Sequence, residues 1–558
     1  MNEKILICVA WPYANGSLHI GQTAGAYIPA DIFARYHRAK GNNVLMVSGS
    51  DSHGTPVTLT AEDLGISPEE VFQKYHQEFM KNWEQLGITF DLFTSTHTKN
   101  HQKVAQDIFL KLYEKKLIYK NYMTQPFCEQ DQRFLADRYV NGTCPKCNDK
   151  NARGDQCDNC GITLDPKDLI NMKCKLCDST PKLKKTEHFF LKLSHFQDTL
   201  LSWLETKDDW KPNVKNFSMS YIKSGLKDRP ITRDIEWGIP VPLKNYENKK
   251  LYVWFEAVIG YLSASIEWSD NQSSEISWKD YWKSSAKSYY FMGKDNIPFH
   301  SIIWPAILIG YDDNLNLPHD IPANEYLNIE GSKQSTSRNW AVWLPEYLSL
   351  YDPDPLRYAI ASNMPENSDS DFSWKEYTRA NNDELVATYG NLVNRVMTLT
   401  HKNFDGKIPK PGTLDSDSMT LLNSCNQKFV EISEDIEKCK FRSGLEKAMA
   451  LAKSANQYLD QKEPWKTIKT DIEITQTTIW TCLSVINCLK VLLYPYLPFS
   501  SQQLHKMLGF TDNKENSIKW SWNKNLLLPG TQLEERIPLF KKLDDSIVDT
   551  ETKKIGKN

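Results

Sequence analysis

Apolar runs of six or seven residues at 4–10 and 44–50 read as buried strands, and the residues between them are apolar at helical spacing. Such a strand–helix–strand unit predicts an α/β layer with a parallel sheet. Pro29 interrupts the helical pattern, so a kink or a late helix start is expected there. This character fills 1–116. Over 117–230 the periodicity breaks into short Cys-, Gly- and Lys-rich pieces, the mark of an insertion. It returns over 231–325, with 251–255 and 288–292 as strand candidates, and a mixed segment follows over 326–380. Over 381–540 the spacing is helical. Leu385, Tyr389, Leu392, Val393, Val396 and Leu399 share one face, and Ile479, Leu483, Ile486, Leu489 and Leu493 share another, which predicts a helical bundle. The polar, Lys- and Asp-rich tail 541–558 is expected to fray.

Composition mostly excludes. A chain of 558 residues is too long for one core, so three or four domains are expected. With 40% hydrophobic and 25% charged residues it is ordinary for a globular enzyme. A net charge of −3 argues against indiscriminate nucleic-acid binding but leaves room for a local basic face. Nothing at the start resembles a long apolar leader, and no run of about 18 apolar residues follows. A cytoplasmic protein without a membrane partner is expected.

Seven of the twelve cysteines fall between Cys128 and Cys177, a clustering that reads as metal rather than disulfide in a cytosolic chain. Cys144-Pro-Lys-Cys147 and Cys157-Asp-Asn-Cys160 are two CxxC knuckles nine residues apart. Each tight turn aims two thiolates at one ion, and four thiolates close a tetrahedral structural Zn2+ site with no position left for a reactive water.

The densest chemistry lies at the end of the first strand. Trp11-Pro-Tyr-Ala-Asn-Gly16 is a turn, and His19-Ile-Gly-Gln22 opens a helix whose unpaired N–H groups suit phosphate. Alone it is equally an ordinary βα unit. Far along the chain, Gly331-Ser-Lys-Gln-Ser-Thr-Ser-Arg-Asn339 is a basic, hydroxyl-rich loop. Together with Asp51-Ser-His-Gly-Thr-Pro56, the 254–261 stretch and the 293–300 stretch, these segments resemble the class I aminoacyl-tRNA synthetases, and among them the methionyl-tRNA synthetase family. His19–Gln22 matches the HIGH signature and Lys333–Ser337 the KMSKS signature. The resemblance covers nearly the whole chain. It implies a Rossmann-type nucleotide-binding domain split by a zinc-knuckle insertion and followed by an α-helical anticodon-binding bundle.

The same resemblance implies the roles of residues. His19, Gln22, Lys333 and Arg233 would be catalytic. ATP would be held by His19, Gln22, Asp295, Lys333, Ser335, Thr336 and Ser337, with Mg2+ accompanying it. L-methionine would lie among Tyr13, Asp51, Trp254, Ala257, Tyr261 and His300, with Asp51 pairing the substrate ammonium. Gln22 replaces the second histidine of HIGH, and Thr336 the second lysine of KMSKS, which leaves Lys333 and Arg338 as the loop's cations. Trp11 stands where many relatives have leucine, so the slot is expected to be reshaped at that edge. Some relatives carry a second zinc. Here its ligands would be Cys128, Asp131, Cys174 and Cys177, with a carboxylate in place of one thiolate. Asn391, Arg395 and Trp465 would read the anticodon of tRNA(Met), with Lys402 near phosphate.

Plainer alternatives stand beside these. Trp254, Tyr261, His300 and Trp465 could be core residues, Arg233 could form a surface ion pair with Asp234 or Glu236, and 333–337 could be a solvated loop. At the level of function, the expectation is a monomeric methionine–tRNA ligase for initiator and elongator tRNA. The enzymes for leucine, isoleucine or valine would need a larger insertion, and that for cysteine a zinc at the substrate thiol. The alternative from another class is a zinc-knuckle RNA-binding factor with a decayed synthetase core.

Overall fold

The computed structural model describes residues 2–557 except 155, 156, 158, 161, 163, 273–275, 284 and 512–516, and the side chains of Asp137 and Ser337 lie outside the described set. A five-stranded parallel sheet is the frame, in the order Ala323–Asn324, Lys287–Gly293, Lys4–Val9, Asn43–Ser50, Leu92–Ser95. Ile5 to Val9 are wholly buried, as a central strand covered on both faces must be. Ile5, Ile7 and Val9 belong to the core that includes the helix Ile28–Lys40. Leu6 and Cys8 face the opposite core, with the helices Lys99–Glu114 and Trp304–Tyr311. The next strand in sequence lies on one side of Lys4–Val9, and the strand Lys287–Gly293 on the other. The strand order therefore reverses beside Lys4–Val9, which opens a crevice at the carboxyl ends of the strands.

Pro29 marks a late start, as its position predicts. A short turn Ile20–Gln22 and a π-helical segment Thr23–Tyr27 precede Ile28–Lys40, with Pro29 in the first turn, where its missing N–H leaves no bond unmade. The strand expected at 288–292 is present, but the one at 251–255 is not. Only Lys250–Leu251 pairs, and Val253–Glu256 is a helical turn leading to the helix Gly260–Asp270. A five-residue apolar run cannot distinguish a strand from a buried helical turn; here Val253 and Phe255 are buried while Trp254 turns outward.

The insertion is built on Ile118–Cys128 paired antiparallel with Lys182–Leu191 over ten residue pairs. A small sheet, Val140–Thr143 with Ala152–Arg153 and Ile170–Cys174, carries the cysteine turns. The helices Asn391–Phe404, Ser416–Glu437, Phe441–Lys462 and Ile472–Leu493 form the bundle. The last is long and apolar enough to cross a membrane by length and composition alone, but 94% of its apolar window is buried.

The tail does not fray. It forms the helix Ser546–Thr552, and Glu551 is buried and accepts from the Tyr351 hydroxyl at 2.9 Å. Gly556 N–H then donates to Asn339 O at 2.9 Å, and Asn339 Nδ2 donates to Lys557 O. Polar composition concealed this docking because only a few apolar side chains, Leu543, Ile547, Val548 and Ile555, pack against the core, and the remaining ties are backbone groups, the Asn339 amide and the Glu551 carboxylate.

Candidate active site

The turn after Lys4–Val9 and the loop after Leu327–Ile329 meet in the crevice. Ile20 N donates to Val342 O at 3.1 Å and Leu344 N to Leu18 O at 2.8 Å, so the segment following the basic loop is stitched to the His19 turn. Ser335 and Trp340 exchange backbone hydrogen bonds of 3.0 and 2.9 Å, which closes the loop into a hairpin. Gln334 occupies the methionine position of KMSKS, a third departure from the signature. Its side chain lies directly over Gly21, where a Cβ would come within 2.3 Å of Gln334 Nε2. Gln334 Nε2 also donates to Leu327 O at 2.7 Å. With glycine in the first signature, the Gln334 side chain of the second can lie in place without shifting.

The Gln22 amide oxygen accepts from His19 N at 2.9 Å and so caps its own helix turn. Burial lowers the His19 imidazole to about 4, so the ring is neutral, and its Nδ1 is buried without a partner. Lys333, Thr336 and Arg338 are exposed and Ser335 is half-buried. Ser337, also expected to touch ATP, has its side chain outside the described residues.

Next to this lies the pocket expected for methionine. Ala14 N donates to Asp51 O at 2.9 Å and Asp51 N to Pro12 O at 2.8 Å, tying the first loop to the end of the second strand. Asp51 is buried, and its Oδ1 has no hydrogen-bond partner among the described residues. Burial first, and the nearby Glu256 charge second, push its carboxyl well above the usual range. A cation is what this carboxylate lacks. Trp254 Nε1 donates to Tyr13 Oη at 3.2 Å, and the Trp254 ring packs on Phe299 with centroids 5.0 Å apart. Trp254 is 36% exposed, which is not a core position.

Tyr261 and His300 form the buried polar pair at the base. His300 Nδ1 donates to Asn296 O at 2.8 Å, which fixes the tautomer, so Nε2 accepts from Tyr261 Oη at 2.7 Å. Burial lowers His300 to about 4 and keeps it neutral, which suits an uncharged thioether. Ala257 is half-buried at the start of the turn Ala257–Ile259. The Trp11 ring fills the remaining edge over Gly49 and Gly260, where a Cβ would come within 2.3 and 2.7 Å of it. Two glycines therefore accommodate the larger side chain.

Beneath the pocket is a cluster the sequence did not reveal. Glu256, wholly buried, accepts from His53 Nδ1 at 2.8 Å and His101 Nε2 at 2.6 Å. Burial would raise the Glu256 carboxyl, but these two imidazoles hold it below its ordinary value. His53 lies inside the Asp51–Pro56 motif, but the convergence of residues 53, 101 and 256 is tertiary and has no local signal.

Among the described residues Arg233 forms no ion pair with Asp234 or Glu236. It is buried, with its guanidinium 3.6 Å from the Tyr252 ring centroid, Nη1 on Thr232 O at 3.0 Å, and an unpartnered Nε. Asp234 is instead paired with Lys249 at 2.6 Å. Asp295 is exposed at the end of Lys287–Gly293 and accepts from the Tyr326 hydroxyl.

In the insertion, the sulfurs of Cys144, Cys147, Cys157 and Cys160 lie within 4.8 Å of one another, with Cys144–Cys160 at 3.8 Å and Cys147–Cys157 at 3.5 Å. Four ligands at a Zn–S bond of about 2.3 Å place sulfurs about 3.8 Å apart, so this set fits tetrahedral zinc. The second set also converges. Asp131 Oδ2 is 3.1 Å from both Cys174 Sγ and Cys177 Sγ, and Cys128 Sγ is 3.4 Å from Cys177 Sγ.

On the bundle, Arg395 pairs with Asp460 at 2.6 Å and stands over the Trp465 ring, 5.3 Å from its centroid. Trp465 is 39% exposed, so it is a surface ring rather than a core one. Asn391, one turn before Arg395, is exposed, as is Lys402.

A parallel sheet with two such loops at its switch point is the architecture of a class I tRNA synthetase. The family described as "tRNA synthetases class I (M)" matches residues 5–397, and the "Anticodon binding domain of methionyl tRNA ligase" matches residues 408–557. The chain belongs to the methionyl-tRNA synthetase family. It is 51% identical to the methionine–tRNA ligase of Thermomicrobium roseum, over 100% of this chain and 99% of the relative. It is 54% identical to that of Dehalococcoides mccartyi strain CBDB1, over the full length of both. Mycobacterium tuberculosis methionyl-tRNA synthetase bound by methionyl-adenylate shares the fold at a TM-score of 0.80 and 23% identity, over 97% of this chain and 100% of that one.

Proposed function

We propose that this chain joins methionine to tRNA(Met) in two steps. The methionine carboxylate attacks the α-phosphorus of ATP and pyrophosphate leaves; a terminal ribose hydroxyl of the tRNA then attacks the adenylate carbonyl and AMP leaves. In-line displacement of this kind needs positioning and charge stabilisation more than covalent chemistry. Asp51 pairs the substrate ammonium, and its unpartnered Oδ1 is the observation that carries the assignment. The neutral Tyr261–His300 pair, with Tyr13, Trp254 and Ala257, receives the thioether. His19 and Gln22 face the phosphates across from Lys333, Ser335, Thr336 and Ser337, Asp295 takes the nucleoside, and Arg233 assists the first step.

Zinc held by Cys144, Cys147, Cys157 and Cys160 keeps the insertion folded, and a second ion at Cys128, Asp131, Cys174 and Cys177 does the same nearby. Magnesium enters with ATP. Asn391, Arg395 and Trp465 meet the anticodon, where unstacked bases can lie on an exposed aromatic ring. A decayed core serving only RNA binding is disfavoured by the assembled pocket.

Methionine should support ATP–pyrophosphate exchange above the other nineteen amino acids, and any other amino acid surpassing it overturns the proposal. Asp51→Ala should cost about 1.5–3 kcal/mol of methionine binding, on the order of a tenfold to hundredfold rise in KM.

A further inference from the structure

We infer that Tyr326 is a positioning residue that links Asp295 to Lys333 and gives up both contacts as ATP seats; the inference rests on the synthetase function proposed above. One phenol touches both groups. Its hydroxyl donates to Asp295 Oδ1, and its ring has Lys333 Nζ 4.5 Å from the centroid. Lys294 Nζ is 4.1 Å from the same centroid and is anchored to Glu325 at 2.7 Å and Asp369 at 2.8 Å. Asp369 Oδ1 also accepts from Tyr326 N at 2.9 Å. The Tyr326 backbone is thereby fixed, and its side chain joins the group assigned to the nucleoside to the cation assigned to the phosphates.

The chain path makes this a mechanical link. Tyr326 immediately precedes Leu327–Ile329, and the turn at Glu330 and Gly331, with φ of 47° and 75°, leads straight to Lys333. For Asp295 to grip a vicinal diol with both carboxylate oxygens, Oδ1 must give up the phenol. For Lys333 to reach a phosphate, its ammonium must leave the ring. A cation–π contact at an exposed site is worth only about 0.5–1 kcal/mol. Triphosphate charge overcomes it readily, so the ring keeps Lys333 close to its working position without trapping it. Nucleoside capture at Asp295 and delivery of Lys333 are then one event.

Two substitutions separate the hydroxyl from the ring. Tyr326→Phe keeps the ring and frees Asp295, so ATP KM should fall roughly threefold to tenfold, while methionine KM and the adenylation kcat stay unchanged. Tyr326→Ala also removes the platform that keeps Lys333 near its working position, so ATP KM should rise about twofold to fivefold above that of Tyr326→Phe. Because the ring contact is already open in the ATP complex, kcat should stay unchanged, a KM-against-kcat split that a merely structural residue does not produce. In an Asp295→Ala background, Tyr326→Phe should no longer change ATP KM. The inference is overturned if Tyr326→Phe leaves ATP KM unchanged or raises it, if its effect persists without Asp295, or if Tyr326→Ala matches Tyr326→Phe in ATP KM. Failure of the synthetase function itself would look different, as the unsubstituted protein would show no methionine-dependent exchange.

Discussion

Arg357 donates to the Asp31 carboxylate across 2.7 Å with both side chains completely buried, and this pair joins three parts of the molecule. Asp31 lies on the helix that follows the His19 turn and also binds Arg35 at 2.8 Å. Arg357 lies on Pro353–Ser362 and further donates to Leu86 O, Pro495 O and Tyr496 O, the last two at the end of the bundle's apolar helix. Burial alone would raise the Asp31 carboxyl, but Arg35 and Arg357 outweigh it and hold it at about 2. A depressed carboxyl contributes stability that is complete above its unfolded pKa of about 3.9 and is lost as pH falls through the folded value. Asp31→Asn leaves two buried guanidinium groups uncompensated and should cost on the order of 3–5 kcal/mol near neutral pH. The gap between parent and variant in denaturation midpoint should narrow between about pH 4 and pH 2; a constant gap would exclude the ionised pair as its source.

Metal analysis of protein purified without chelators should return two zinc ions per chain. Cys147→Ala should remove one and loosen the insertion, while the parallel sheet stays folded. Asp131→Ala should remove the other, because its carboxylate oxygen completes the set with three thiolates. One zinc in the parent, unaffected by Asp131→Ala, would restrict the metal to the four-cysteine site.

Thr336 can only donate a neutral hydrogen bond where KMSKS has a second cation, so Lys333 should carry the transition-state charge. Lys333→Ala should lower kcat and kcat/KM for adenylation together, with little change in ATP binding. Thr336→Lys should be tolerated and faster. Single-turnover rates settle the rival: if Lys333→Ala keeps its rate and Arg338→Ala loses it, the charge belongs to Arg338.

The exposed Trp465 ring beneath Arg395 is suited to base stacking worth about 1–3 kcal/mol. Trp465→Ala and Arg395→Ala should lower kcat/KM for tRNA charging by roughly tenfold to a hundredfold while pyrophosphate exchange is unchanged. A parallel loss in both assays would instead place the damage in the bundle's fold.

Legibility in the sequence followed locality. The strands at 4–9 and 43–50, the restart at Pro29 and the CxxC turns are set by neighbours within a few residues, and each is visible in order along the chain. The run at 251–255 misled because period and length do not separate a strand from a helical turn in five residues. Motif residues such as His19, Asp51 and His300 are recognisable by resemblance to a family. The contacts that orient them are not: His53 and His101 on Glu256, Gln334 over Gly21, and Tyr326 on Asp295 each join segments with no shared periodicity. The docking of the tail was hidden for the same reason.

That docking orders events during synthesis. Asn339 lies in the turn of the Lys333 loop's hairpin and is itself clasped by Gly556 and Lys557, more than two hundred residues later in the chain. Domains emerge from the ribosome amino-terminus first and fold as units. The parallel sheet, both cysteine turns and most of the bundle can therefore form while the clasp on the Lys333 loop is still unmade. Translation of residues 546–557 supplies it, so a nascent chain that already holds His19, Asp51 and Lys333 still lacks the brace for the loop that carries Lys333.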